Sequence, residues 1–326
     1  MNTPLQNRIA YQGDLTPLLE QVVADFELGN YVIHQIVTVG SEDFNVLLTT
    51  NKDKYFLKIF AAFRDEAACG RYVDVTLKAL EIGINHPKLF SSSQGYLHHL
   101  SLNGIDVRLV VMEYIEGQTF YDLGETPTQN ELCFLVQQAA LINSKMDIHP
   151  LPIYDSMAII NLIKEFTEKK KYLEQSDFAM IQPVVDSFAQ LNLASLPHCF
   201  VHGDIGKANI IRSNSGELYI IDFSVSNFYP RIQELASMIC NLLFDEKHTR
   251  SFGNNCKLCL SEYQKVLPLT KHELAMLPLF IKAAHCLHIL YPLYLQKAKN
   301  NQEKEIAQWL EQGRAGLKLA LNFWKE

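Results

Sequence analysis

The chain has 326 residues, 48% of them hydrophobic, which is ample for a large core and fits two lobes better than one compact domain. With 20% charged residues it is neither disordered nor a coiled coil. A formal charge of −7 argues against a general nucleic-acid binder, and no apolar run approaches the length of a membrane span. Seven scattered cysteines point to reduced thiols in a cytoplasmic setting, and residues 1–14 lack the basic start and apolar core of a secretory leader.

In chain order, residues 15–26 have helical spacing, with Asp14 and Thr16 as start signals and Gly29-Asn30 as a stop. Three strands follow at 31–39, 44–50 and 55–60, separated by turns at 40–43 and 51–54. A helix over 66–80 ends at Gly83, and Asn85-His86-Pro87 forms a turn. Residues 108–114, RLVVMEY, have the apolar run of a buried strand that stops at Glu116-Gly117. From Thr128 the pattern turns helical, over 131–146, 157–173 and 178–191. Lys169-Lys170-Lys171 is expected on a solvated helix face. Cys256 and Cys259 lack a second pair at zinc spacing and are expected as a loop thiol and a helix thiol. His285 and His288 sit in an apolar helical run as core histidines.

The informative stretch is 200–222, FVHGDIGKANIIRSNSGELYIID. An apolar run delivers His202, Gly203 and Asp204, and Asn209 follows five positions later. A strand over 208–211, a turn at Asn214-Ser215-Gly216 and a strand over 218–221 then lead to Asp222. Two carboxylates and an amide at these offsets are what phosphoryl transfer needs beside a Mg-nucleotide. Asp204 can take the attacking hydroxyl's proton, while Asn209 and Asp222 offer hard oxygens to metal. As isolated residues they read as a polar turn and a strand-end cap; in register the combination is specific. His202 reads as a brace for the loop.

The spacing D-x4-N, a hairpin, then I-D-F resembles the kinase-like phosphotransferases. Because the loop has His-Gly-Asp, it resembles the small-molecule branch: the aminoglycoside phosphotransferase, choline kinase and homoserine kinase-like enzymes. The resemblance is firm over 200–236 and loose elsewhere. It implies an α+β, protein-kinase-like two-lobed fold. A small antiparallel-sheet N-lobe would span 1–112, a hinge 113–117 and a larger helical C-lobe 118–326.

The resemblance also predicts a strand lysine, and Lys58 in YFLKIF occupies that place, where the residue-level alternative is a lysine snorkelling from a sheet edge. Gly40, Ser41 and Asn45 match the shorter phosphate loop of that branch, with a plain β-turn as the alternative. Either Glu66 or Asp74 would supply the helix acid that pairs with the lysine. Adenine would be read by main-chain groups around Glu113 to Ile115. Residues 230–236, PRIQELA, resemble the branch's P-R-x-x-D-L-A, with Glu234 bracing the loop in place of Asp. The loop departs at Ile205-Gly206-Lys207, where relatives carry Leu, His and Pro, and at 143–146, where a helix-end histidine is common.

The implied activity is ATP-dependent, or GTP-dependent, phosphorylation of a small-molecule hydroxyl with Mg2+, on homoserine-, choline- or aminoglycoside-like acceptors. No nucleic-acid or membrane partner is implied, and the oligomeric state is left open. The alternatives are a fructosamine or protein kinase, or a pseudokinase-like regulatory module.

Overall fold

A computed structural model describes residues 4–9, 11–38, 43–102, 104–150, 152–244 and 249–324. The chain divides into two compact units, one of Met1–Gly117 with Ser213–Ile221, the other of Gln118–Arg212 with Asp222–Glu326. It is a mixed α+β fold, with an antiparallel sheet in the first unit and helices dominating the second.

The first unit begins with helix α1 (Leu15–Asp25), capped by Asp14, which accepts the Thr16 N–H. Strands β1 (Tyr31–Val37), β2 (Phe44–Thr50) and β3 (Lys54–Ile59) follow as antiparallel neighbours. Helix α2 (Glu66–Glu81), capped by Asp65, precedes β4 (Leu89–Phe90), β5 (His98–Leu102) and β6 (Ile105–Glu113). The sheet runs β1-β2-β3-β6-β4, with β5 also paired to β6. Strands β4 and β5 have no counterpart in the sequence reading: Leu89–Phe90 is only two residues long, and two histidines hide the apolar side of β5.

Alternation along the strands assigns each face its helix. Phe44, Val46 and Leu48 of β2 and Leu57 and Ile59 of β3 enter one core with Leu18, Leu19 and Val22 of α1. Phe56 and Phe60 pack on the opposite face with Cys69, Tyr72 and Val73 of α2. Lys58 lies between them in sequence and therefore faces α2, opposite Asn45 in the β2–β3 register.

The second segment of this unit carries β10 (Leu218–Ile220). Asn85 clamps it by donating Nδ2–H to the Leu218 carbonyl at 2.5 Å and accepting the Ile220 N–H at 2.8 Å.

In the second unit, β7 (Gly117–Thr119, its first residue in the other unit) leads to α3 (Phe120–Leu123) and α4 (Gln129–Lys145), the latter closed by a Thr128/Glu131 capping box. The predicted helix over 157–173 is α5 (Leu162–Lys169) flanked by 3-10 turns, followed by α6 (Gln175–Phe188). Lys169 departs from the solvated face expected of it. Its ammonium pairs with buried Glu165 and lies 4.9 Å from the centre of the Tyr294 ring, while Lys170 and Lys171 are exposed.

Strand β8 (His198–Val201) pairs with β11 (Asn227–Pro230), and a 3-10 turn at Lys207–Asn209 replaces the start of the predicted strand before β9 (Ile210–Ser213). Helix α7 (Ile232–Met238) passes into a π-helical turn at Ile239–Leu243. Then come α8 (Thr249–Val266), α9 (Lys271–Ala298) and α10 (Lys304–Phe323).

Cys256 and Cys259 are both buried on α8, so neither is a loop thiol, and all seven cysteines are free. Helix α9 is long and apolar enough to cross a membrane by length and composition. It packs instead among α5, α6, α7 and α10, with His285 fully buried, as a core helix does.

Candidate active site

The loop after β8 is set by its backbone and by one buried acid. Gly203 has φ of +85°, a left-handed conformation that glycine adopts without strain. Glu234, fully buried on α7, accepts the N–H groups of His202 at 2.6 Å and Gly203 at 3.3 Å. Burial pushes its carboxyl up to about 7 against the pull of those donors and of Asn143. Asn143 donates to the Phe200 carbonyl at 2.9 Å and to Glu234 at 3.4 Å, and accepts the Tyr263 hydroxyl at 2.7 Å. Asn143 is thus part of the same brace. His202 is buried, accepts the Asp204 N–H on Nδ1 at 3.2 Å and packs its ring, tilted, against Phe223 with the centres 4.5 Å apart.

This brace presents the Asp204 carboxylate. Asn209 donates to Asp204 Oδ2 at 2.7 Å and to its carbonyl at 3.0 Å. Asn241, in the π-helical turn, donates to Oδ1 at 3.3 Å. Burial pushes the Asp204 carboxyl up to about 7, aided by the charges of Asp155 and Asp222 and opposed by the two amides. Asp222 itself has φ of +67°, a strained conformation for a residue with a Cβ, and its Oδ1 accepts the Ser224 N–H at 3.2 Å.

The sequence reading did not single out Asn241 or Asp155. No spacing signal announces Asn241, which in the structure lies against Gly206, where a Cβ would stand 3.1 Å from the Asn241 Cβ. Nothing in the spacing announces Asp155, which comes from the loop before α5.

The donor set fits a hard cation. Asp155 and Asp222 both act on Asp204 as like charges, and Asn209 adds a neutral oxygen. Among the described residues no three His, Cys, Asp or Glu side chains form a metal cage. Mg2+ does not need one, since it commonly takes one or two carboxylates and completes its shell with water and phosphate.

In the first unit, Lys58 is buried, with Nζ 3.4 Å from Asp43 Oδ2 and 4.8 Å from the centre of the Tyr72 ring. The acid against the lysine is therefore neither predicted candidate. Glu66 directs its carboxylate to His99 Nε2 at 3.2 Å and Arg108 Nη1 at 3.9 Å, and Asp74 is exposed. Asn45 faces Lys58 across the strands. Gly40 and Ser41 lie outside the described residues. The Glu113 N–H donates to the Lys88 carbonyl at 2.8 Å, and Ile115 is buried just past the end of β6.

The sequence profile described as the phosphotransferase enzyme family matches residues 35–255. The chain belongs to that family. No curated protein sequence matches this phosphotransferase. Its fold is similar to a microcompartment-associated aminopropanol kinase, with a TM-score of 0.68 at 13% identity over 95% of this chain and 97% of the other. It is also similar to spectinomycin phosphotransferase APH(9)-Ia in complex with ADP and spectinomycin (TM-score 0.67, 13% identity, 94% and 97% covered). A third similar structure is choline kinase LicA from Streptococcus pneumoniae (TM-score 0.60, 14% identity, 93% and 99% covered).

Proposed function

We propose that this phosphotransferase transfers the γ-phosphate of ATP to a hydroxyl of a small molecule. The observation that carries the reading is the Asp204 carboxylate, oriented by two amides and raised toward neutrality beside a second carboxylate at a strained turn. A hydroxyl is a weak nucleophile at neutral pH. Asp204 accepts its hydrogen bond, directs a lone pair at phosphorus, and takes the proton as the new P–O bond forms and ADP leaves.

Asn209 and Asp222 would hold Mg2+, which neutralises charge on the nucleotide's phosphates. Lys58 would offer an ammonium to the same phosphates, with Asn45 opposite it across β2 and β3. Adenine is read by the main chain around Glu113 and Ile115. The Glu113 N–H is already engaged by Lys88, which leaves the Glu113 carbonyl and the main chain of Ile115 for that role. GTP in place of ATP is decided by competition between the two.

Asp155 and Asp222 make the surroundings of Asp204 negative, which favours an acceptor that carries an amine beside its hydroxyl. Choline-like, aminoglycoside-like and homoserine-like alcohols have that chemistry. The aminopropanol, choline and spectinomycin kinases of similar fold point the same way. Seven free thiols suit a cytoplasmic enzyme.

The test is a screen of amino alcohols, aminoglycosides, amino acids and sugars with radiolabelled ATP. Transfer to an amino-bearing alcohol is the expected result. Activity confined to a protein acceptor would overturn the small-molecule reading.

A further inference from the structure

A lysine that must hold phosphates from inside a fold needs an anion to fix its ammonium, because a long flexible side chain otherwise samples many rotamers. The resemblance places that anion on α2. Helix α2 instead presents the Tyr72 ring to Lys58, with Nζ 4.8 Å from the ring centre. The carboxylate comes from Asp43, immediately before β2, whose side chain is only 4% exposed.

Asp43 is itself held firmly. Its Oδ1 accepts the Ala61 N–H at 3.0 Å and Arg64 Nε–H at 2.8 Å, while Oδ2 lies 3.4 Å from Lys58 Nζ. The Asp43 carbonyl accepts a further hydrogen bond from Arg8 Nη1 at 3.1 Å. An acid anchored on one oxygen by the backbone after β3 and by a guanidinium has its other oxygen aimed by that anchorage.

We propose that Asp43 is the positioning residue for Lys58, performing from the start of β2 the task that relatives give to a helix acid. Tyr72 supplies the second wall of the ammonium's site. The charge that orients Lys58 then comes from the residue immediately before β2, with α2 contributing the Tyr72 face and no carboxylate. This inference rests on the reading of Lys58 as the nucleotide's lysine.

The test uses the full chain, with affinity for ADP and for a non-hydrolysable ATP analogue measured by calorimetry. Asp43→Asn keeps an oxygen for the Ala61 N–H but removes the charge, and is expected to weaken nucleotide binding by about tenfold or more. A structural defect alone would not be repaired from another element, so the decisive variant restores the charge on α2. Tyr72→Glu in the Asp43→Asn background should recover most of the affinity, whereas Tyr72→Gln in that background should not.

Wild-type affinity in Asp43→Asn, or equal recovery by both Tyr72 variants, would overturn the proposal. Should Asp43→Asn not fold, the two double variants are compared directly. Folding and binding restored by the acid alone support the proposal; restoration by both or by neither rejects it. Lys58→Met separates the two readings. If it binds nucleotide like the wild type, the role given to Lys58 is wrong. If it loses binding while Asp43→Asn does not, only the role given to Asp43 is wrong.

Discussion

The lysine corner of the first unit and the aspartate loop of the second solve the same problem, holding a charged side chain in a poorly solvated place, in opposite ways. Around Asp204 the partners are close in sequence or lie on the helix that follows: Asn209, Glu234 and Asn241. Around Lys58 they come from two separate elements, Asp43 before β2 and Tyr72 within α2. In the loop only the Asn209 contact is local, and Glu234 and Asn241 join it from the helix that follows. The lysine corner is assembled by the sheet and its helix, and its acid can migrate between elements as long as a carboxylate reaches the ammonium.

The sharpest way to break the comparison is to remove the charged oxygen at position 222. Asp222→Ala is expected to cut Mg-ATP turnover by about 10²–10³-fold or more, read by steady-state kinetics across a Mg2+ titration. Turnover within a few fold of wild type would take the metal role away from the loop. Next in size is Asp204→Asn, which keeps the side chain's size and one of its two accepted amide hydrogen bonds but cannot accept a proton. It should slow transfer by roughly 10²–10⁴-fold while leaving nucleotide affinity intact. Equal rates in the two proteins would reject the base.

A smaller effect tests the scaffold behind the loop. His285 and His288 on α9 each place Nδ1 3.2 Å from Cys240 Sγ, next in sequence to Asn241. Burial lowers the first to about 3, with His288 adding to the shift, and burial lowers the second to about 4. Both folded values lie below the usual 6.5, so the unfolded chain takes up protons first. Stability from these groups is complete above pH 6.5 and is lost as pH falls toward 4. The loss reaches at most about 1.4 kcal/mol per histidine per pH unit. The raised carboxyls of Asp204 and Glu234 shift stability the other way over the same range. Urea unfolding at pH 7.5 and pH 5 is therefore compared between the wild type and a His285→Gln, His288→Gln double variant. Equal pH dependence in the two proteins would contradict the contribution of the histidines.

The smallest expected change sharpens the assignment of Asn241. With Asn209 still holding Oδ2, Asn241→Ala should lower kcat by about three- to tenfold with the KM for ATP unchanged. A rise in KM with kcat unaltered would place Asn241 in substrate binding and not in orienting Asp204.

How much of this was legible follows from the same contrast. The helices and central strands appeared in sequence because apolar periodicity is a local property, and Asp204, Asn209 and Asp222 because five- and eighteen-residue offsets within one hairpin are local too. Lys58 was singled out by the family resemblance; strand alternation, with Leu57 and Ile59 on the other side, gave only the face it occupies. Asp43 could not be, because an acid beside a turn looks the same whether it meets solvent or a buried ammonium. Lys169 misled for the mirror reason: three consecutive lysines look solvated, yet the turn of α5 brings the first onto buried Glu165.

The sequence alone therefore determined the family, the antiparallel and helical halves, and the order of the groups along the aspartate loop. Each of these depends on residues near one another in the chain. Only the tertiary structure decided which carboxylate holds the lysine, which amides orient Asp204, and that Asn143 joins Glu234 in bracing the loop. Those pairings are between residues 15 to 91 positions apart, apart from the nearby Asn209, and depend on which faces meet when the elements pack.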